Sequence, residues 1–210
     1  MKVDAIDLNV VLFPDEKTRQ TVIEWSNDLS QKFDTYFVLD GINFNPHITL
    51  YQARYPVKNQ EEIMKRIESF VKKTHPFTVT MKGFSHHWGF RGFIFADVEV
   101  APQLRTIHDS VVDSLNELRE GEIASTVKAL TDLTKEQKDA VDKYGYIFAK
   151  DTFTLPHITL TRLKDPKQAD KALRSLEALS PFSFFARTIA IAPTSEHGTC
   201  PQPIKTFYIK

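Results

Sequence analysis

The chain has a single cysteine, Cys200, in 210 residues. It therefore forms no intrachain disulfide and no thiolate-rich metal site. It has no net charge, because 27 Lys and Arg balance 27 Asp and Glu. That balance argues against a protein held to long nucleic acid by bulk charge, and leaves a local basic pocket open. No apolar run approaches the roughly 20 residues of a membrane-spanning helix. Asp4, Asp7 and Asn9 interrupt the apolar stretch at the N-terminus, so no signal peptide is read there. The expectation is a soluble cytoplasmic protein that contacts no membrane.

What the chain does have is enough apolar material for a core: 41% hydrophobic residues, 11% aromatic, and sixteen Phe. Disorder is excluded on that composition. A mass of 24.1 kDa is that of one domain, or of one domain built from two similar halves.

The second possibility is written into the sequence. Pro46-His47-Ile48-Thr49-Leu50 returns as Pro156-His157-Ile158-Thr159-Leu160. A five-residue identity has a chance expectation of about 0.02 in a chain this size at average composition. The flanks extend the match. Pro56 and Pro166 each open a helical stretch ten residues after the motif proline, 58–73 in the first half and 166–179 in the second. Each stretch ends before a Pro-Phe pair, at Pro76-Phe77 and Pro181-Phe182, and β-rich segments follow over 77–84 and 182–191. Further strands are predicted over 92–100 and 204–209. Upstream, a strand over 6–13 leads through Pro14 into a helix to about Leu29. The strand over 92–100 leads likewise through Pro102 into a helix to about Leu118, with Ile107, Val111, Leu115 and Leu118 at helical spacing. One bilobal unit over 1–210 with an internal two-fold repeat is the expected organisation.

The halves differ in length. Pro14 to Pro46 spans 32 positions and Pro102 to Pro156 spans 54. The surplus falls between Arg119 and Lys150, with helical character around 134–143. Two readings stand: a solvated helix with loops, or a lid or specificity element beside the site.

Side chains of a strand alternate between two faces. Each motif strand therefore sends two apolar residues, Ile48 and Leu50 or Ile158 and Leu160, to a core. On a regular strand the opposite face carries His47, Thr49 and Tyr51 in one copy, and His157, Thr159 and Thr161 in the other. Two imidazoles across one cleft suit general acid–base work, since one can be neutral and the other protonated near neutral pH. A Thr about 6.5–7 Å along the strand can donate its hydroxyl to a phosphoryl oxygen. One such motif alone is weak, because a core strand with a hydrogen-bonded His reads the same way. The second copy in the matching place carries the argument. Metal hydrolysis is disfavoured, since neither motif has a second ligand at usable spacing.

On these residues the chain resembles the 2H phosphoesterase superfamily, whose mark is two His-x-Thr/Ser motifs, one per lobe. The resemblance covers essentially the whole chain, and the 110-residue separation of the motifs is long for the family. It implies an α+β, duplicated bilobal fold, with two antiparallel sheets lining a central groove and helices outside. It implies a phosphodiesterase or 2′-5′ RNA ligase-like enzyme needing no cofactor and no metal, acting as a monomer. His47 and His157 would be acid and base, in either order, and Thr49 and Thr159 would hold phosphoryl oxygens. The substrate would be a small nucleotide or a single-stranded RNA end, carrying a 2′,3′-cyclic phosphate or a 2′-5′ linkage.

Further candidates for substrate contact surround these four. Tyr51 could stack on a base or bind phosphate, and Thr161 holds the matching place. Arg162 stands where an Arg is frequent in the family, although a regular strand would point it away from the cleft. His87, Trp88 and Arg91 lie in a predicted hairpin loop and could offer stacking and a cation. Phe44 and Phe153 could wall the groove, with core packing the favoured role for both, and His108 is expected to be a surface or packing residue. The competing functions are a non-catalytic nucleotide- or RNA-binding module on the same scaffold, and a protein-interaction domain that merely retains the strands.

Overall fold

The computed structural model describes residues 4–86, 91–195 and 197–210. The chain runs β1 (Ala5–Phe13), α1 (Glu16–Lys32), β2 (Ile48–Pro56), α2 (Gln60–Val71), β3 (Phe77–Ser85), β4 (Phe93–Val98) and α3 (Pro102–Leu115). It continues through α4 (Ser125–Lys128), α5 (Lys135–Tyr144), β5 (His157–Arg162), α6 (Ala169–Ser175), β6 (Phe182–Ala186), β7 (Thr188–Pro193) and β8 (Lys205–Tyr208).

Local chemistry sets the element ends. Asp15 caps α1 by accepting the Thr18 N–H at 2.9 Å, and Pro102 occupies the first turn of α3, where no intrahelical donor is needed. Thr134 and Gln137 form a reciprocal capping box at the start of α5. The helix expected over 166–179 is shorter: a 3₁₀ turn at Pro166–Gln168 leads into α6, which stops at Ser175.

The strands form one antiparallel sheet in the order β6-β3-β4-β5-β2-β1-β7-β8. The two sheets implied by the resemblance are its two four-stranded halves. They join at a single residue pair, Ile48 opposite Ile158. The β-rich stretch over 182–191 divides at Arg187. β6 pairs with β3 at one edge of the sheet, while β7 pairs with β1 near the other. One intervening residue can connect them only if the sheet curls until its two ends approach, and that curl makes the concave face a groove.

α1, α2, α3 and α6 pack into the main core on the convex face and lock the halves together. α1, which follows β1 of the first half, packs on β5 of the second; α3, which follows β4 of the second half, packs on β2 of the first. Leu8, Val10 and Leu12 of β1 enter the main core beneath these helices with Val22, Leu29, Ile63, Val111 and Leu115. Val11 points the other way, into a small cluster with Ala190, Ala192 and Cys200. Among the described residues no helix is long and apolar enough to cross a membrane.

Candidate active site

Both motif strands break their alternation at the same place. Val10 faces Tyr51 and Val11 faces Thr49, which leaves Leu50 unopposed. Ile94 faces Thr161 and Phe95 faces Thr159, which leaves Leu160 unopposed. An extra residue in one strand is a β-bulge, and it reverses which face every later side chain takes. Two expectations are corrected by it. Tyr51 turns into the core, fully buried, and its hydroxyl donates to the Tyr144 carbonyl at 2.6 Å. Thr161 is also fully buried, donating to the Phe37 carbonyl at 2.7 Å. The reversal brings Gln52 and Arg162 to the concave face instead. Each lies five residues after its histidine.

His47, Thr49, Gln52, His157, Thr159 and Arg162 line a single groove of about 700 Å³. The two imidazoles are held alike. His47 Nδ1 lies 2.8 Å from the Asn45 carbonyl and His157 Nδ1 lies 2.7 Å from the Leu155 carbonyl. A carbonyl only accepts, so Nδ1 carries the proton in both rings and Nε2 is left as the basic nitrogen. His47 is 7% exposed, and burial holds its pKa below the ordinary histidine value. His157 is half-buried, with Phe95 4.1 Å away and Phe148 6.4 Å away between ring centroids.

The supporting residues differ between the halves. Asn9, fully buried on β1, donates from Nδ2 to Thr49 Oγ1 at 3.1 Å. Thr49 Oγ1 accepts that bond and keeps its own proton to donate. Gln52 donates to Thr126 Oγ1. In the other half the Arg162 guanidinium lies over the Tyr36 ring at 5.2 Å and over the Phe93 ring at 5.0 Å. It donates to the Arg91 carbonyl at 3.0 Å and to His197 Nδ1 at 3.2 Å. The stack aims a cation at the groove beside Thr159.

Arg91 reaches the groove and pairs with Asp132 at 2.6 Å. His87 and Trp88 lie outside the described residues. Phe44 packs against the core, Phe153 is buried, and His108 is a fully buried packing residue stacked on Phe153 at 3.8 Å. Desolvation lowers the His108 pKa to about 4. The 119–150 segment supplies one wall of the groove, through residues 125–127, 129–132 and 146–148. Among the described residues no three His, Cys, Asp or Glu side chains converge as metal ligands would.

Asn9, Gln52, Tyr36 and His197 are not legible as site residues from a regular strand. One signal was available for Gln52. Leu50 and Tyr51 are adjacent and apolar, and the polar residues then fall at Gln52 and Arg54, out of phase with Thr49. Such a slip in a period of two marks a bulge.

Solved structures share this architecture. TT0787 of Thermus thermophilus superposes with a TM-score of 0.61 at 17% identity, covering 97% of this chain and 98% of its own. E. coli LigT in apo form gives a TM-score of 0.52 at 13% identity, with 99% of each chain covered. E. coli LigT complexed with 3′-AMP gives 0.55 at 13% identity, again over 99% of each. No curated protein matches the sequence. The sequence model of the 2′-5′ RNA ligase superfamily matches residues 42–197, from just before the first motif to beyond the second. With the paired motifs, the fold and that match in agreement, the chain belongs to the 2′-5′ RNA ligase superfamily of 2H phosphoesterases.

Proposed function

We propose that this protein is a phosphodiesterase that cleaves a 2′,3′-cyclic phosphate or a 2′-5′ phosphodiester of a ribonucleotide, with no metal in the chemical step. The observation that carries the reading is the shared tautomer. Both imidazoles present Nε2 to one groove, each with a threonine hydroxyl two residues along. The complex of the structural relative LigT with 3′-AMP supports a nucleotide in this groove.

The roles follow from burial. His47, kept neutral by desolvation, takes a proton at Nε2 from water as the water oxygen attacks phosphorus. His157, in its protonated form, gives the Nε2 proton to the departing ribose oxygen as the P–O bond breaks. Thr49 and Thr159 donate to the non-bridging oxygens, and Arg162 offsets the charge that builds there. A cyclic phosphate yields a phosphomonoester and one free ribose hydroxyl.

The test is turnover of nucleoside 2′,3′-cyclic phosphates and of 2′-5′ and 3′-5′ dinucleotides in EDTA, beside the His47→Ala and His157→Ala proteins. Hydrolysis abolished by both substitutions is the expected result. Activity lost to EDTA and restored by a divalent ion would overturn the metal-free step. Tight nucleotide binding with no turnover on any substrate would make the protein a binding module.

A further inference from the structure

The segment between α3 and β5 is tied down along its length. On the incoming side the buried Arg119 side chain donates to the Asn116 side chain and to the carbonyls of Glu122 and Lys143. On the outgoing side the Lys150 N–H donates to His108 Nε2 at 3.0 Å. Gly145 ends α5 with φ 68°, and a Cβ there would strike Arg119 and the Glu122 carbonyl, so the turn is built around a glycine.

Between these roots the segment changes lobes. At Ser125 it belongs to the first lobe: the Asp7 carboxylate of β1 accepts the Ser125 N–H and hydroxyl, each at 2.7 Å, and Arg54 of β2 at 2.6 Å. At Asp132 it belongs to the second lobe, through Arg91 just before β4. Residues 125–132, Lys128 apart, line the groove along the way. The segment therefore bridges the two lobes.

We propose that this bridge is a fixed strap that stops a polynucleotide from running through the groove, so that the substrate is a single nucleotide or the nucleotide at a chain end. The inference rests on the phosphodiesterase reading above and selects within it. Electrostatics point the same way. A groove that tracks a phosphate backbone leaves cations facing it. Of the two arginines that line the groove among the described residues, Arg91 is engaged by Asp132 at the strap's second-lobe end and Arg162 is left to face the groove, one cation for one phosphate. A groove of about 700 Å³ is also the size of a site for one small ligand.

The experiment compares three substrates with the full-length protein: adenosine 2′,3′-cyclic phosphate, a 2′-5′ diadenylate, and a longer oligonucleotide with the same 2′-5′ linkage at its centre and both ends blocked. Turnover of at least one short substrate, with the central linkage cut about 100-fold more slowly or not at all, is expected. In Asp132→Ala the central linkage should gain at least about ten-fold relative to the short substrate. Comparable cleavage of central and short linkages by the wild-type protein would overturn the strap and leave the phosphodiesterase reading standing. A folded Asp132→Ala protein with unchanged selectivity would also overturn it. If Asp132→Ala does not fold, the wild-type comparison decides. No turnover of any of the three would overturn the phosphodiesterase reading, and the strap proposal with it.

Discussion

The two motif-bearing lobes share a backbone and differ in what surrounds it. Each has a histidine held through Nδ1 by the carbonyl two residues before it, and each has a bulge three residues after that histidine. In the first lobe the neighbours are neutral hydrogen-bonding groups. Asn9 holds Thr49, and Gln52 is held by Thr126. In the second they are aromatic and cationic: Phe95 lies against His157, and Arg162 lies over the rings of Tyr36 and Phe93. Register makes the contrast direct, since Asn9 lies opposite Gln52 while Phe93 lies opposite Arg162. The lesson is that backbone geometry shared by two halves can carry unlike electrostatics. One lobe is suited to keep its imidazole neutral, and the other to meet developing negative charge.

The largest test of that division removes the imidazoles. His47→Ala and His157→Ala should each lower kcat by about 10³-fold, within the range general acid–base catalysis supplies. Retained activity in either one, measured by steady-state turnover, would break the pairing of the lobes. The next test exchanges the unlike residues. Arg162→Gln, which gives both lobes the same side chain, should cost about 10²-fold in kcat, as loss of a donor to a developing oxyanion does. Gln52→Ala should change kcat much less, because Gln52 donates to the strap. Equal losses would show that the asymmetry has no catalytic meaning.

A smaller effect is expected at Asn9. Asn9→Ala should lower kcat about ten-fold with KM little changed, because the Thr49 hydroxyl loses its orienting donor. In a Thr49→Val background the same substitution should have no further effect on kcat, and an additive loss would mean that Asn9 acts through something else. The smallest effect is one of pH. kcat/KM should be bell-shaped, its acid limb falling below pH 6.5, since burial lowers the His47 pKa and the neutral ring persists further into acid. An acid limb above 6.5 would reverse the assignment of base and acid. Burial has a stability consequence of the same sign. His108, with a pKa of about 4 when folded, favours the folded state above the unfolded value near 6.5. That contribution, of order 3 kcal/mol, is lost as pH falls from 6.5 towards 4. Urea unfolding at pH 7 and pH 4.5 should show a smaller drop in His108→Gln than in the wild-type protein.

Much of the site is legible in the amino-acid order. The repeat of Pro-His-Ile-Thr-Leu locates the four central residues, and the paired prolines locate the helix starts. The polar, helix-forming run around 134–143 locates α5. Legibility fails where strand regularity is assumed. Tyr51 and Thr161 follow from a strict period of two, and one unopposed leucine in each strand sends both into the core. Arg162, a candidate that the same rule points away from the cleft, comes into the groove. The break at Arg187 is illegible for another reason. Phe182 to Pro193 has β-forming residues throughout, and only the curl of the sheet assigns its two parts to different neighbours.

Residue type and short spacing are enough to set the local chemistry: which side chains can titrate, which donate, and which must be buried to fold the chain. The internal repeat states that chemistry twice. Which of those groups meet is a property of the folded chain. Asp7 finding Ser125 across 118 positions, Asn9 finding Thr49 and Arg162 finding Tyr36 depend on strand register, sheet curl and the crossing of α1 and α3 between lobes. Such contacts arise from packing the whole core at once, and no local window of sequence contains that information.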